Sequence, residues 1–306
     1  MRRTWQHDGA GMGRKRWSSW VVLVTGLLAL GGMKLKPAAA QEAGRLLATS
    51  GVTQLEGAGG GGLVPWALIT GYGTRDAAGA NVHYTGAYLS DFTLHSAGAA
   101  IGLYNRVELS YAHETLLTGE AGKRLGLGRG YQFNLDVAGI KVRVLGDAVY
   151  DQDSWLPQIA VGAQFKTADS HAILRAIGAR SASGVDFYVA ATKLFLAQSL
   201  LVDATLRGTE ANQFGLLGFG GDRNRGYSLE FEGSAALLLR RDVAIGAEIR
   251  TKPDHLGFAK EGTAFDVFAS YFVTKNLSAT LAFLSLGPIA RQGDQNGAYL
   301  SLQAGF

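Results

Sequence analysis

Apolar and polar residues alternate one by one along much of the chain beyond residue 60, and no segment there keeps a helical period. In YSLEFEGSA, at 227–235, Leu229 and Phe231 fall on one side while Glu230 and Glu232 fall on the other. Successive side chains of a strand point to opposite faces, so each such run reads as a strand with one apolar and one polar face. The pattern predicts an all-β chain.

The spacing of the turns indicates what each face meets. Short turns alternate with longer loops that are polar or rich in glycine. The short turns fall at 104–106, 196–199, 240–242 and 274–276, and the longer loops at 118–130, 168–183, 210–226, 253–263 and 287–296. Short periplasmic turns and long outer loops are typical of outer-membrane barrels, in which the apolar strand face meets lipid and the polar face meets the lumen.

We therefore predict a transmembrane antiparallel β-barrel of about twelve strands, with ten and fourteen as the neighbouring alternatives. The segment 81–103 holds either one strand or two. At Ala138-Gly139 the outward set changes phase, from Phe133, Leu135 and Val137 to Ile140, Val142 and Val144, which predicts a β-bulge. The predicted strands are 63–74, 89–103, 106–117, 131–146, 155–167, 184–196, 199–210, 227–239, 242–252, 264–273, 276–286 and 297–306.

Both ends of the chain suggest export to the outer membrane of a Gram-negative bacterium. Basic residues at 14–16, an apolar run at 20–30 and Ala38-Ala39-Ala40 predict a signal peptide over 1–40, cut before Gln41. The last strand, GAYLSLQAGF, ends on an aromatic residue, which resembles the terminal strand that barrel-assembly machinery recognises. We predict Tyr299 and Phe306 as this assembly signal. The predicted domains are the signal peptide, a Gly-rich segment at 41–62 and a barrel at 63–306.

Charge and composition exclude several classes of protein. Residues 1–40 hold seven of the basic residues and one of the acidic ones, so the remainder has 22 Lys and Arg against 24 Asp and Glu, and no basic surface for nucleic acid is predicted. Absence of cysteine excludes disulfides, thiolate metal sites and Cys nucleophiles. No histidine pair has metal-ligand spacing. We predict no cofactor and no metal.

The run GAGGGG at 57–62 matches the dinucleotide-binding pattern G-x-G-x-x-G. That pattern requires a strand before it and a helix after it, whereas Pro65-Trp66 and an alternating run follow here. We interpret the glycines as a close-packed or flexible entry to the first strand. Two placements stay open: a small plug in the lumen, or a loose segment in the periplasm.

Charged groups facing hydrocarbon cost ~2–4 kcal/mol near the midplane, so charges within strands are predicted to face inward. They would either line a narrow pore or pair and close it. The predicted lumen-lining residues are Glu108, Asp136, Lys141, Arg143, Lys166, Asp186, Asp203, Arg207, Glu230, Glu232, Glu248, Arg250 and Asp266.

Three functions follow, in order of preference. The first is a narrow channel or uptake barrel for small solutes. The second is a structural or surface-interaction barrel with a lumen closed by salt bridges. The third is an outer-membrane hydrolase, for which Ser110 and His113 are close in sequence but on opposite strand faces, and no G-x-S-x-G elbow is present. The expected partners are outer-membrane lipid, the secretion and barrel-assembly machinery, and small solutes.

Two stretches of the mature chain carry a resemblance to a known family: GRLLATSGVTQLEGAGGGGLVPWALITGYGTRD at 44–76 and GAYLSDFTLHSAGAAIGLYNRVELSYA at 86–112. They resemble a family of uncharacterised Gram-negative envelope proteins, a domain of unknown function. The resemblance covers the whole mature chain and implies a single-domain exported protein. It assigns no role to any residue.

Overall fold

A computed structural model of the chain describes residues 52–306. The predicted signal peptide and cleavage site lie outside the described residues. Two-residue strands come first, β1 (Val52–Thr53) and β2 (Gly59–Gly60), which pair with each other. No helix among residues 52–306 has the length and apolar character needed to cross a membrane.

The next twelve strands form a closed antiparallel barrel in which each pairs with its neighbours in sequence and β14 returns to pair with β3. This confirms the predicted fold class. The strands are β3 (Ala78–Leu89), β4 (Thr93–Leu103), β5 (Val107–Leu117), β6 (Gln132–Leu145), β7 (Gln158–Ala168), β8 (Ser183–Phe195), β9 (Leu200–Thr209), β10 (Ser228–Arg240), β11 (Val243–Arg250), β12 (Ala264–Phe272), β13 (Leu277–Ile289) and β14 (Gln292–Gly305).

Two errors in the predicted strands cancel in the count of twelve. The predicted first strand at 63–74 is wrong, because the barrel begins at Ala78 and residues 63–73 are buried inside it. The segment 81–103 contributes to two strands, β3 and β4. Trp66–Ile69 is apolar at every position, which suits burial on all sides rather than a wall with a single lipid-facing side.

The predicted bulge at Ala138-Gly139 is also wrong. Strand β6 pairs with both neighbours through this point without a break, and its register shifts instead between Arg143 and Leu145. One phase therefore holds from Gln132 to Arg143, and the apolar side chains of β6 at 133, 135 and 137 are buried inside the barrel. They belong to a core cluster with residues of the loop after β9, which explains why apolar side chains face the lumen here.

Loops and turns divide the barrel into two ends. One end carries short turns at 104–106, 196–199, 241–242 and 273–276, and a longer segment at 146–157. The opposite end carries helices α1 (Gly119–Arg124) and α2 (His171–Ala176) and the loops 210–227 and 251–263. The predicted loop at 287–296 is a two-residue turn, Ala290-Arg291, with φ values of 48° and 65°. We call these the periplasmic end and the outer end.

The outer wall is mainly apolar. Large side chains such as Leu229, Val267 and Leu281 are 75%, 55% and 61% exposed, while their polar neighbours along the strands, such as Asp266 and Thr280, are buried inside. A soluble protein buries its apolar face, so this inverted arrangement belongs to a barrel whose outer wall meets lipid.

Candidate functional site: a plugged lumen

The barrel interior is filled by residues 52–73, which we call the plug. All of them but Gly62 are buried. The β1–β2 pair folds this segment into a hairpin, and a further bridge joins Gly60 to Pro65. The segment is therefore a folded element inside the lumen, and the Gly-rich run lies within it.

Glycine is required in this run because the plug lies against other backbone and against the wall. A β-carbon at Gly61 would overlap the Glu248 carboxylate, and one at Gly62 would overlap the Tyr299 hydroxyl. Gly57 lies at φ +92°, a left-handed conformation that glycine adopts without strain. The glycines serve close approach rather than phosphate binding.

Glu56 is the only acidic side chain of the plug, and it is fully buried among cations of the wall. Arg250 Nη1 lies 2.9 Å from its Oε2 and Arg250 Nη2 lies 3.2 Å from its Oε1. Lys166 Nζ also donates to Glu56, and Arg207 Nη2 is 3.9 Å away. Burial alone raises the pKa of Glu56, but Arg250, Lys166 and Arg207 outweigh it and hold this pKa well below its usual range.

The same cations also meet carboxylates of the wall. Asp186 lies 2.6 Å from Lys166 and 3.3 Å from Arg207, and Glu232 pairs with Arg207 and lies 3.1 Å from Arg250. Three cations and three anions thus form one buried network in which the plug supplies a single anion. We call it the charge network; its members are Glu56, Lys166, Asp186, Arg207, Glu232 and Arg250.

A second anchor lies on β5 and β6. The Glu108 carboxylate accepts hydrogen bonds from the backbone N–H groups of Gly59 at 2.9 Å and Thr70 at 2.8 Å. Lys141 pairs with Glu108 at 3.0 Å and donates to the carbonyl oxygens of Gly59 and Trp66, at 2.8 and 3.0 Å. This ion pair therefore satisfies plug backbone groups that water would otherwise bind.

Further wall side chains bind plug backbone in the same manner. Glu248 accepts from Leu63 N–H at 2.7 Å, and Thr192 accepts from Ala67 N–H at 2.7 Å. Gln158 donates to the Ala67 carbonyl at 2.6 Å. The plug contains little regular structure, so the wall supplies many of its hydrogen-bond partners.

The charged residues are confined to one side of the lumen. Every inward Lys, Arg, Asp and Glu of the barrel strands lies on β5 to β12, whereas inward positions of β13, β14, β3 and β4 carry none. Contacts between the plug and this neutral side include Gln303, which accepts from Thr53 N–H at 2.9 Å, and Ser96, which donates to the Leu55 carbonyl. The plug is thus anchored mainly to the charged side.

A second element closes the outer end. Residues 211–220, which we call the cap, fold into the barrel mouth and are all buried. The Phe214 ring lies 4.3 Å from the Arg250 guanidinium carbon, and its carbonyl accepts from Lys166 at 3.1 Å, so the cap rests on the charge network. Gln213 and Phe214 have φ values of 46° and 62°, which non-glycine residues adopt only at a cost.

Most of the predicted lumen-lining residues lie inside the barrel. Glu230 is only partly buried, at the outer end, and Arg143 lies beside Asp147 near the periplasmic end. The inward placement predicted for Asp136 is wrong, because its side chain faces outward and is 54% exposed. Those buried in the lumen are Glu108, Lys141, Lys166, Asp186, Asp203, Arg207, Glu232, Glu248, Arg250 and Asp266.

The two residues of the predicted assembly signal differ in placement. Tyr299 is buried and faces the plug, while Phe306 is 56% exposed. The Phe306 carbonyl accepts from the backbone N–H groups of Tyr72 and Ala80, at 3.0 and 2.9 Å. The chain end therefore joins the plug to the first barrel strand, and the role of Phe306 in assembly stays a prediction.

Ser110 and His113, the two residues considered for a hydrolase, do not meet in this structure. Ser110 pairs in register with Gly139 and His113 with Asp136, on opposite faces of the same strand. Within residues 52–306, no group of three or more His, Asp or Glu side chains is placed to hold a metal ion.

A closed antiparallel barrel with an apolar outer wall and a filled polar lumen is a transmembrane barrel of the outer-membrane class. The chain belongs to the family described as "Protein of unknown function (DUF3034)", whose match covers residues 49–303. This confirms the family resemblance seen in the sequence. No curated protein matches the chain.

Solved outer-membrane barrels are similar to this chain at low identity. They include the KdgM porin (12% identity, 74% of this chain and 99% of that chain, TM-score 0.47) and an outer membrane channel of the COG4313 group from Pseudomonas putida F1 (15%, 79% and 97%, 0.42). Outer membrane phospholipase A from Escherichia coli is similar as well (11%, 77% and 94%, 0.41). At identities this low, the likeness does not extend to the substrates or reactions of those proteins.

Proposed function

We propose that this protein is a narrow outer-membrane channel for small solutes, closed in this structure by its own plug and cap. The observation that carries the proposal is that a separate folded segment, rather than wall side chains meeting across the lumen, fills the barrel. Wall charges bind that segment through hydrogen bonds and ion pairs, which water can replace when the segment moves.

The competing function is a structural barrel whose lumen stays closed by salt bridges. One feature favours the channel. The neutral side of the lumen holds the plug with few hydrogen bonds, and a small cavity of about 10 Å³ lies there among Leu55, Leu63, Leu94 and Leu284. The plug can therefore separate from this side while it stays attached to the charged side, and the passage opens along β13, β14, β3 and β4.

A disulfide lock tests the proposal, because the chain has no native cysteine. Leu55 of the plug lies beside Ser96 on the neutral side, where Ser96 donates to its carbonyl oxygen. We expect Leu55→Cys with Ser96→Cys to abolish conductance steps in planar bilayers when oxidised, because the disulfide holds the plug to the side from which it must separate, and reduction to restore them. The matched control is Thr85→Cys with Ser96→Cys, two wall residues that face each other across β3 and β4; this pair should leave conductance unchanged.

Two outcomes would count against the channel. One is a wild-type barrel, shown to be folded by its heat-dependent migration in SDS, that gives no conductance steps under any applied voltage. The other is conductance that persists unchanged with the plug locked to the wall. The first favours the structural barrel, and the second places the passage away from the plug.

The ion pairs of Glu56 predict how closure responds to pH. Because the pKa of Glu56 is held below its usual range, its contribution is complete above the unfolded pKa of about 4.3 and is lost only as the pH falls through the lower folded value. We expect the difference in opening frequency between the wild type and Glu56→Gln to stay level from about pH 8 to about pH 5 and to narrow only below the ordinary range of glutamate. A difference that already narrows between about pH 6 and pH 5 would contradict this assignment.

A further inference from the structure

The lipid-facing wall carries a hydrogen-bonded cluster of polar side chains on one side of the barrel. Outward positions of β3 and β4 include Tyr84, Tyr88 and His95. Those of β5 include Tyr111, His113 and Thr115, and those of β6 include Asn134 and Asp136. We call this set the polar face.

Hydrogen bonds run across the strands of the polar face. Tyr111 donates to Asp136 at 2.6 Å, and His113 Nδ1 lies 2.8 Å from the same carboxylate oxygen. Thr115 donates to Asn134 at 2.8 Å. On the other flank, the Tyr84 hydroxyl lies 2.8 Å from His95 Nδ1. The groups are held in place by one another.

The depth of this cluster makes it unusual for a wall that meets lipid. His113 is adjacent to the central residue of β5, and a strand of this length matches the ~9–11 residues that cross the hydrocarbon. Acyl chains offer no hydrogen-bond partner, and a carboxylate facing them is unfavourable. The opposite wall on β11 presents only apolar residues outward: Val243, Ile245, Ala247 and Ile249.

We infer that the polar face is an interface with a second copy of this chain. Two copies that insert in the same direction are related by a two-fold axis along the membrane normal, which brings equivalent walls together at the same depth. With the axis near β5, the β3–β4 flank of one copy meets the β6 flank of the other. The first flank offers hydroxyl and imidazole groups, and the second offers the Asp136 carboxylate, so the flanks complement each other.

Single cysteines on the outer wall test this interface in the full chain. Ala97 and Ala138 are small, exposed and within the polar face, and Ala247 is equally small and exposed on the opposite wall. In native membranes, a short bismaleimide should convert Ala97→Cys and Ala138→Cys proteins to covalent dimers and leave Ala247→Cys monomeric. Equal cross-linking at the three positions, or none in barrels shown to be folded by heat-dependent migration, would overturn the interface.

A second measurement separates a protein partner from a bound lipid. Losing a hydrogen-bonded charge from an interface commonly weakens it about tenfold or more, so Asp136→Asn should raise the dimer dissociation constant in detergent about tenfold while the channel conductance per barrel is unchanged. Native mass spectrometry showing a monomer that retains lipid, and loses it on Asp136→Asn, would instead assign the face to a lipid headgroup and refute the dimer.

Discussion

Replacing Glu56 with glutamine is expected to release the plug and open the lumen. The change removes one of the three anions of the charge network and leaves three buried cations against Asp186 and Glu232. Removing one partner of a buried ion pair typically destabilises a protein by about 3–5 kcal/mol, because the remaining charges lose their compensation. Hydration of the uncompensated cations requires water to enter the lumen, which favours the unplugged state.

Planar bilayer recordings check this expectation. Glu56→Gln should show frequent openings under conditions in which the wild type is mostly closed. Glu230→Gln is the matched control, since it makes the same carboxylate-to-amide change at a partly exposed position at the outer end of β10. A Glu56→Gln barrel that stays as closed as the control would show that the charge network does not hold the plug.

The barrel itself follows from the sequence because lipid imposes a simple rule on every strand. The last strand illustrates it: Leu300 and Leu302 are exposed, and Ser301 and Gln303 are buried, as their alternation predicts. A shift of one residue would bring polar groups to the lipid, so pattern and register specify each other. Strand ends are fixed less strongly, which is why β13 and β14 extend through a predicted loop.

The plug could not be predicted in the same way. The apolar run at 63–69 is compatible with a buried strand and with an irregular segment inside the barrel, because periodicity does not distinguish these two structures. What places them inside is the set of partners on distant strands, such as Glu108 and Glu248. These contacts join residues that are far apart in the chain, so local sequence does not predict them.

Asp136 shows the limit of the rule that charges face inward. The rule rests on the cost of an isolated charge in hydrocarbon, but this carboxylate accepts hydrogen bonds from Tyr111 and His113 on the neighbouring strand. Those partners are 25 and 23 residues away in sequence and meet Asp136 only through the register of β5 and β6. The cap differs from its prediction for a related reason: length and glycine content predict a loop at 210–226, although this segment contains the apolar residues Leu216, Leu217 and Phe219, which are buried.

Substituting Gly60 with alanine is the second change expected to have a large effect. Its β-carbon would overlap the Val64 carbonyl oxygen and lie 2.8 Å from Pro65 Cα, so backbone within the plug itself must move. Inserting a methyl group into packed structure costs about 1–3 kcal/mol, and here the cost falls on the hairpin that shapes the plug. We expect more frequent openings and faster chymotryptic cleavage after Trp66.

Gly130→Ala is the matched control for this substitution, because nothing lies within 4 Å of a β-carbon there. It should change neither openings nor cleavage. The comparison separates two ways of losing closure: Glu56→Gln weakens the attachment of a folded plug, while Gly60→Ala disturbs the plug's own fold. Cleavage after Trp66 should therefore accelerate more in Gly60→Ala than in a Glu56→Gln barrel with the same opening frequency. If Gly60→Ala matches Gly130→Ala in both measurements, the plug does not need its hairpin to close the lumen, and the close approach at Gly60 has no part in gating.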